Sequence, residues 1–340
     1  MNNSTQGKKY KAAVIGTGRI GMLLESDPKR VKPATHFGLW LRHPKTELIA
    51  VCDNDPKKFE TAKSLKPDVL TYTDPKALLK EVKPDIVSIS TWRDTHYEMA
   101  KLALAHGVKA IVLEKPIAEK REHAEEIVRE AREKGVHLLI NHRRRFDSLL
   151  YEVRDKLKNG LIGEITQVSS YYVYGLVTTG THLIDTLRFF LGEVLWVAGF
   201  PNHKAHFAPP DDPCVDAVIG FENGVKATVQ SLNMKDYDIF DFHFYGRKGK
   251  LVFKNIGRDF EIYKVTESPE HTGFTELAQE NPIKLGGKPR DQFMFMGDNA
   301  VSCLEGRAAS LSTGEDSLRA LEILLAIQES AKHGSKVIEV

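Results

Sequence analysis

The sequence predicts an α/β protein of two domains: an N-terminal doubly wound parallel sheet, then an α+β domain on an open, mostly antiparallel sheet. Three observations carry this prediction. Up to Ile140, short and nearly continuous runs of Val, Ile, Leu and Ala alternate with helical segments, the pattern of a parallel sheet buried on both faces. After about residue 165, strand-like stretches follow one another, separated by turns such as Glu222-Asn223-Gly224. The 340 residues also exceed one ordinary domain of roughly 150 residues. The expected division is 1–141 and 142–340.

In the first part the expected strands are Tyr10–Ile15, Glu47–Cys52, Asp68–Leu70, Asp85–Ile89, Lys109–Leu113 and Val136–Ile140. Asp74-Pro75 reads as an N-cap with Pro at the first helical position, opening Lys76–Val82. His96–Ala105 stops at Gly107, and the charged Ala118–Lys134 stops at Gly135. The second part reads as strands Ile165–Tyr174, Leu195–Phe200, Asp216–Phe221, Val225–Leu232, Ile239–Tyr245, Leu251–Lys254 and Phe260–Val265. A helix is expected over Thr178–Leu191, an ordered loop over about Ser268 to Arg290, a helix over Asp316–His333 and a short strand over Lys336–Val340.

With 48 basic against 46 acidic residues, the net charge of +2 points away from a nucleic-acid or membrane-surface partner. No apolar run approaches the roughly 18 residues of a membrane span, and the polar Met1–Lys11 lacks the marks of a signal peptide. Three scattered cysteines (Cys52, Cys214, Cys303) make no disulfide framework and suit the cytoplasm.

Gly16-Thr17-Gly18-Arg19-Ile20-Gly21 is G-x-G-x-x-G, directly after an apolar strand and opening a helix. In that context it is the Rossmann dinucleotide-binding loop: Gly16 for the tight turn, Gly18 for close approach of a pyrophosphate, Gly21 for helix–strand packing. Asp53 ends the second strand, where an acid accepts from the ribose hydroxyls and favours NAD over NADP. It lies 32 positions after Gly21, against roughly 20 in the usual spacing. Pro28 and Pro33 explain the excess: Glu25–Thr35 is an insertion that breaks the first helix, which resumes around His36–Leu41. Lys57 and Lys58 read as exposed helix lysines, or as partners for a 2′-phosphate.

Glu114-Lys115-Pro116 follows a buried strand directly, at the carboxyl end of the sheet where ligands bind in this fold. A partly desolvated lysine there suits general acid–base work, and a solvated turn lysine is the other reading. The glycine loop, Ser90-Thr91-Trp92-Arg93-Asp94-Thr95-His96 and Glu114-Lys115-Pro116 together resemble the Gfo/Idh/MocA family of NAD(P)-dependent oxidoreductases. Arg145-Phe146, Gly160-Leu161-Ile162-Gly163-Glu164, Gly180-Thr181-His182-Leu183-Ile184-Asp185 and Gly314-Glu315-Asp316 extend the resemblance over essentially the whole chain.

The resemblance implies a Rossmann domain and a C-terminal α/β domain whose open sheet pairs protomers into a homodimer or homotetramer. It implies hydride transfer between nicotinamide and a hydroxyl or carbonyl carbon of a sugar, cyclitol or sugar derivative. Lys115 and His182 match the family's catalytic lysine and histidine. Thr91, Trp92, His96 and Glu114 join Gly16–Gly21 and Asp53 on the cofactor side; Arg145, Tyr172, Thr178 and Asp185 are substrate-side candidates. Two departures stand out. Thr178 occupies a position, four before the histidine, where many relatives carry Asp. Trp92 replaces a usual proline, and either walls the nicotinamide pocket, stacks on a sugar or packs the core.

Read from the residues alone, His182 sits beside a stripe of Leu183, Leu187 and Phe190, with Asp185 and Thr186 one turn on to orient the imidazole. A lone helix histidine is otherwise commonly structural. Arg143–Arg145 offer a phosphate or carboxylate partner, or a solvated junction. Tyr171 and Tyr174 read first as sheet packing. His203, His206, Asp211, Asp212 and Cys214 match no standard zinc spacing, so no metal is expected. Two other functions are compatible with the same motifs: tightly held NAD used for redox-assisted elimination of a glycoside, and a non-enzymatic NAD- or sugar-sensing regulator.

Overall fold

A computed structural model describes residues 9–205, 208–209, 211–278, 280–286 and 291–340. The chain divides into two compact units, and the division differs from the expected contiguous split at 141/142. The first unit runs to Asp147 and takes in a returning segment that ends at Leu321; Ser148 onward and Glu322–Val340 form the second.

The first unit opens with β1 (Tyr10–Ile15), α1 (His36–Arg42), β2 (Thr46–Cys52), α2 (Lys58–Leu65), β3 (Leu70–Tyr72) and α3 (Pro75–Val82). It continues with β4 (Ile86–Ile89), α4 (His96–Ala105), β5 (Ala110–Leu113), α5 (Arg121–Glu133) and β6 (His137–Ile140). The strands pair in parallel in the order β3-β2-β1-β4-β5-β6. Ala12–Val14, Val87 and Ala110–Leu113 are 0% exposed, because helices cover both faces. The order reverses between β1 and β4, and a crevice at that reversal is where this architecture binds ligands. β3 begins two residues later than expected, since the Val69 N–H closes a turn on the Lys66 carbonyl.

The glycine loop leads into one helical turn, with the Met22 N–H on the Gly18 carbonyl at 2.9 Å, and a 3₁₀ turn at Leu23–Ser26. The expected break is there, and the helix resumes as α1. Buried Glu25 holds the two ends of the break: its Oε2 accepts from the Ala34 N–H (2.9 Å) and the Thr35 hydroxyl (2.8 Å). Thr35 in turn caps α1 by accepting the Gly38 N–H.

The second unit begins with α6 (Ser148–Lys158), β7 (Ile165–Val173), α7 (Thr181–Leu191), β8 (Val194–Pro201), β9 (Val215–Phe221) and β10 (Lys226–Leu232). It continues with β11 (Asp241–Gly246), β12 (Gly249–Lys254), β13 (Asp259–Glu267), β14 (Thr275–Leu277) and β15 (Ile283–Gly286). The chain ends with α8 (Gln292–Leu304), α9 (Gly314–Lys332) and β16 (Ile338–Glu339). The sheet order is β14-β13-β12-β11-β7-β10-β9-β8-β16, with β15 also on β13. Every described pairing is antiparallel except β7 with β10. Phe242, Phe253 and Phe260 stack across β11, β12 and β13 with centroids 5.4 and 4.3 Å apart.

Two expectations need correction here. The stretch 268–290 holds β14 and β15 rather than loop alone: β13 is long enough to offer both an edge. Its polar, Pro- and Gly-containing sequence hides such short edge strands. The segment carrying α8 returns to the first unit, where Phe293, Met296, Ala300 and Val301 pack with Phe37, Trp40, Leu139 and Phe146. Ser312 and Thr313 then pair with β6.

Candidate active site

Three loops leave the carboxyl ends of adjacent strands β1, β4 and β5: Gly16–Gly21, Ser90–Thr95 and Glu114–Pro116. Gly16 has φ +91°, and a Cβ there would lie 2.6 Å from the Ser90 carbonyl carbon. A Cβ on Gly21 would lie 2.0 Å from the Gly16 carbonyl oxygen. A Cβ on half-buried Gly18, by contrast, would meet nothing within 4 Å. Two glycines are therefore required by packing inside the protein. The third leaves open space against its backbone, which is what a pyrophosphate needs. The residues present fit a dinucleotide.

Asp53 directly follows β2 and is 7% exposed. Its Oδ2 accepts from the Thr17 N–H (2.7 Å) and hydroxyl (2.9 Å), its Oδ1 from the Asp55 N–H (3.0 Å). The Lys58 ammonium sits 2.9 and 3.1 Å from the two oxygens. Burial opposes ionisation, yet these donors hold the carboxyl below the usual range. Buried Thr17 thus serves to aim Asp53, and Lys58 is an ion-pair partner rather than a plain surface lysine. A ribose hydroxyl must compete with five existing contacts.

Glu114 lies at the centre of a buried network. Its Oε1 accepts from the Asn141 amide (2.6 Å) and meets His36 Nε2 at 3.0 Å; His36 Nδ1 and the Trp40 indole N–H both reach Ser88 Oγ. Burial disfavours the carboxylate, but His36, Lys115 and Asn141 outweigh it and bring Glu114 to about 2. The carboxyl of Glu114 is therefore an ionised anchor beneath Lys115, which is half-buried one residue on. The Lys115–Pro116 peptide bond is cis. None of His36, Ser88, Trp40 or Asn141 was expected; a polar residue inside an apolar strand, as Ser88 is, was the available signal.

His96 is 1% exposed, so it does not face a ligand. It joins two loops instead: Nδ1 is 2.7 Å from the Pro116 carbonyl and Nε2 is 3.2 Å from the Thr91 carbonyl. Burial lowers its pKa and favours the neutral ring, and the shorter contact assigns the N–H to Nδ1. Thr91 is half-buried and accepts from the Thr95 hydroxyl, while Trp92 is 84% exposed, which excludes the core-packing reading. Arg19 is exposed and Ile20 half-buried; the Ile20 carbonyl accepts the N–H of His36. Arg145 pairs with Asp316 at 3.0 Å, and Arg144 is buried, so the arginine run is built into the first unit.

In the second unit a π-helical turn, Leu176–Gly180, precedes α7. Thr178 and His182 are half-exposed, whereas Gly180, Thr181, Leu183, Ile184 and Asp185 are buried. The Thr186 hydroxyl donates to the His182 carbonyl at 2.7 Å, and so supports the backbone there rather than orienting the imidazole. Phe190 is half-buried rather than part of the buried stripe. Tyr172 is withdrawn from the substrate-side set: it is 0% exposed, with its hydroxyl donating to the Val215 carbonyl and accepting the Val215 N–H. Its place on the inward face of β7 is the reason, and burial raises its pKa. No group of three or more His, Cys, Asp or Glu is placed to hold a metal among the described residues. His206 lies outside them.

Comparison with known proteins adds a second line. Residues 10–142 match the model of an oxidoreductase family with an NAD-binding Rossmann fold, and residues 174–340 match that family's C-terminal α/β domain. D-glucoside 3-dehydrogenase of Escherichia coli is 27% identical over 217 residues, covering 60% of this chain and 58% of that enzyme. The chain thus spans under two thirds of that relative. D-apiose dehydrogenase of Paraburkholderia graminis is 22% identical across 98% of this chain and 91% of its own length. The WlbA dehydrogenase of Bordetella pertussis, solved with NADH and UDP-GlcNAcA, shares the fold with a TM-score of 0.77 at 19% identity, covering 98% and 99% of the two chains.

Proposed function

The chain belongs to the Gfo/Idh/MocA oxidoreductase family, and from that premise we propose that it is an NAD-dependent dehydrogenase of a sugar, cyclitol or sugar derivative. The observation that carries the reading is the set of three neighbouring loops at the sheet reversal: a glycine loop with open space at Gly18, and Lys115 two strands away on an ionised anchor. The relatives named above as sugar dehydrogenases support the substrate class, and no observation favours the elimination or regulator readings.

Gly16–Gly21 hold the pyrophosphate and Asp53 the adenosine ribose, with NAD preferred over NADP because a carboxylate repels a 2′-phosphate. When bound, the nicotinamide supplies the hydride acceptor or donor. Lys115 donates a hydrogen bond to the reacting oxygen and stabilises negative charge developing there. His182 takes the hydroxyl proton on oxidation and returns it on reduction. His96 keeps the Thr91 and Pro116 loops in register, and Trp92 presents an exposed indole for a sugar face. The protein works in the cytoplasm, as a homo-oligomer through the second unit's sheet. Replacing Lys115 by Met tests the reading: turnover of sugars with NAD should fall about 10²–10⁴-fold while NAD binding, followed by protein fluorescence, stays near the wild-type value. Retained turnover would falsify it.

A further inference from the structure

Asp212 lies just before β9, far in sequence from the π-helical turn, yet it holds that turn. It is 0% exposed. Its Oδ1 accepts the Val177 N–H at 2.7 Å; its Oδ2 accepts the Thr178 N–H at 2.7 Å and the Thr178 hydroxyl at 2.6 Å. Gly175 makes room for it, since a Cβ there would lie 2.4 Å from Oδ2. A carboxylate can only accept, so the single proton of the Thr178 hydroxyl is committed to it. The distance is that of a charge-assisted bond. Toward any further group, Thr178 Oγ1 is therefore an acceptor and never a donor.

Thr178 stands one turn before His182, and both are half-exposed where the residues between and after them are mostly buried. They share the open side of the helix. We propose that Thr178 is a specificity-determining residue that accepts an O–H from the substrate next to the carbon oxidised at His182, and that Asp212 is the positioning residue that fixes its polarity. The preferred substrate class is then a vicinal diol, a sugar carbon flanked by a free hydroxyl, over its deoxy counterpart. The discrimination comes from the hydrogen bond that the hydroxylated substrate donates to Thr178 Oγ1 and its deoxy counterpart cannot. This inference rests on the oxidoreductase reading of His182.

The test compares methyl β-D-glucopyranoside, D-apiose and myo-inositol with NAD, then the best of them against its monodeoxy analogues, in four proteins. Wild type should prefer the hydroxylated sugar over one analogue by about tenfold or more in kcat/KM. Thr178→Val keeps the backbone bond to Asp212 but removes the hydroxyl, and should reduce that preference to about one by losing activity on the hydroxylated sugar alone. Thr178→Ser should restore the preference. Asp212→Asn turns one accepting oxygen into a donor and should act like Thr178→Val if it folds. A merely structural role lowers activity on both sugars equally, and that result in Thr178→Val, or no change at all, overturns the inference while leaving the dehydrogenase reading intact. Absence of turnover by wild type on every sugar overturns both.

Discussion

At the scale of single residues, three carboxylates are set to different tasks by what surrounds them. Asp53 is held ionised by Thr17, Asp55 and Lys58; its replacement by Ala should weaken NAD about tenfold and narrow the discrimination against NADP, measured as the ratio of the two dissociation constants. Glu114 has a folded value of about 2 against an ordinary 4.5. The folded state binds this proton less tightly than the unfolded chain. Its contribution is thus complete above about 4.5 and drains away as pH falls toward about 2. The melting temperature of wild type should exceed that of Glu114→Gln at neutral pH, with the gap closing across that acid window. A gap independent of pH would show that Glu114 is not the ionised anchor. Asp212 shows what a reading of spacing misses: the family resemblance leads one to expect a carboxylate at position 178, and the structure delivers one to Thr178 from another element. No local pattern around Asp212 signals that, because the contact depends on how β9 runs past the π-helical turn.

At the scale of elements, continuous apolar runs placed the parallel strands to within two residues, since burial on both faces leaves no polar alternation to confuse the period. Tyr10–Ile15 and His96–Ala105 have the expected bounds, and Pro75 opens its helix behind the Asp74 cap. The prolines at 28 and 33 revealed the interrupted first helix, but not Glu25, which closes the gap through bonds to Ala34 and Thr35. A buried glutamate in a polar stretch reads as an exposed one until its partners are seen. Its fit is tight: a Cβ on Gly38 would lie 2.1 Å from a Glu25 oxygen. Gly38→Ala should therefore destabilise by about 1–3 kcal/mol in urea unfolding, although Ala in an open helix position gains roughly 1 kcal/mol. A stabilising result would show that the Glu25 contact is loose. The edge strands β14 and β15 and the docking of α8 were not legible, because short polar edges and distant returns leave no periodic trace.

At the scale of the whole molecule, the near-balanced charge points away from a generic nucleic-acid or membrane-surface binder, and no helix among the described residues is long and apolar enough to cross a membrane. The fold class follows from strand–helix alternation in the first part and successive strands in the second, and the family from the glycine loop, Glu114-Lys115-Pro116 and the His182 segment read together. What alternation cannot show is that Phe293, Met296 and Val301 complete the first unit's core. The account predicts that the chain oxidises a polyol carbon at the expense of NAD through Lys115. The most direct measurement is NADH formation by wild type and Lys115→Met across glucosides, pentoses, inositols and nucleotide sugars. The predicted result is turnover with at least one of them, reduced about 10²–10⁴-fold in the variant with NAD still bound; equal NADH formation by the two proteins, or none by wild type with any sugar, would contradict it.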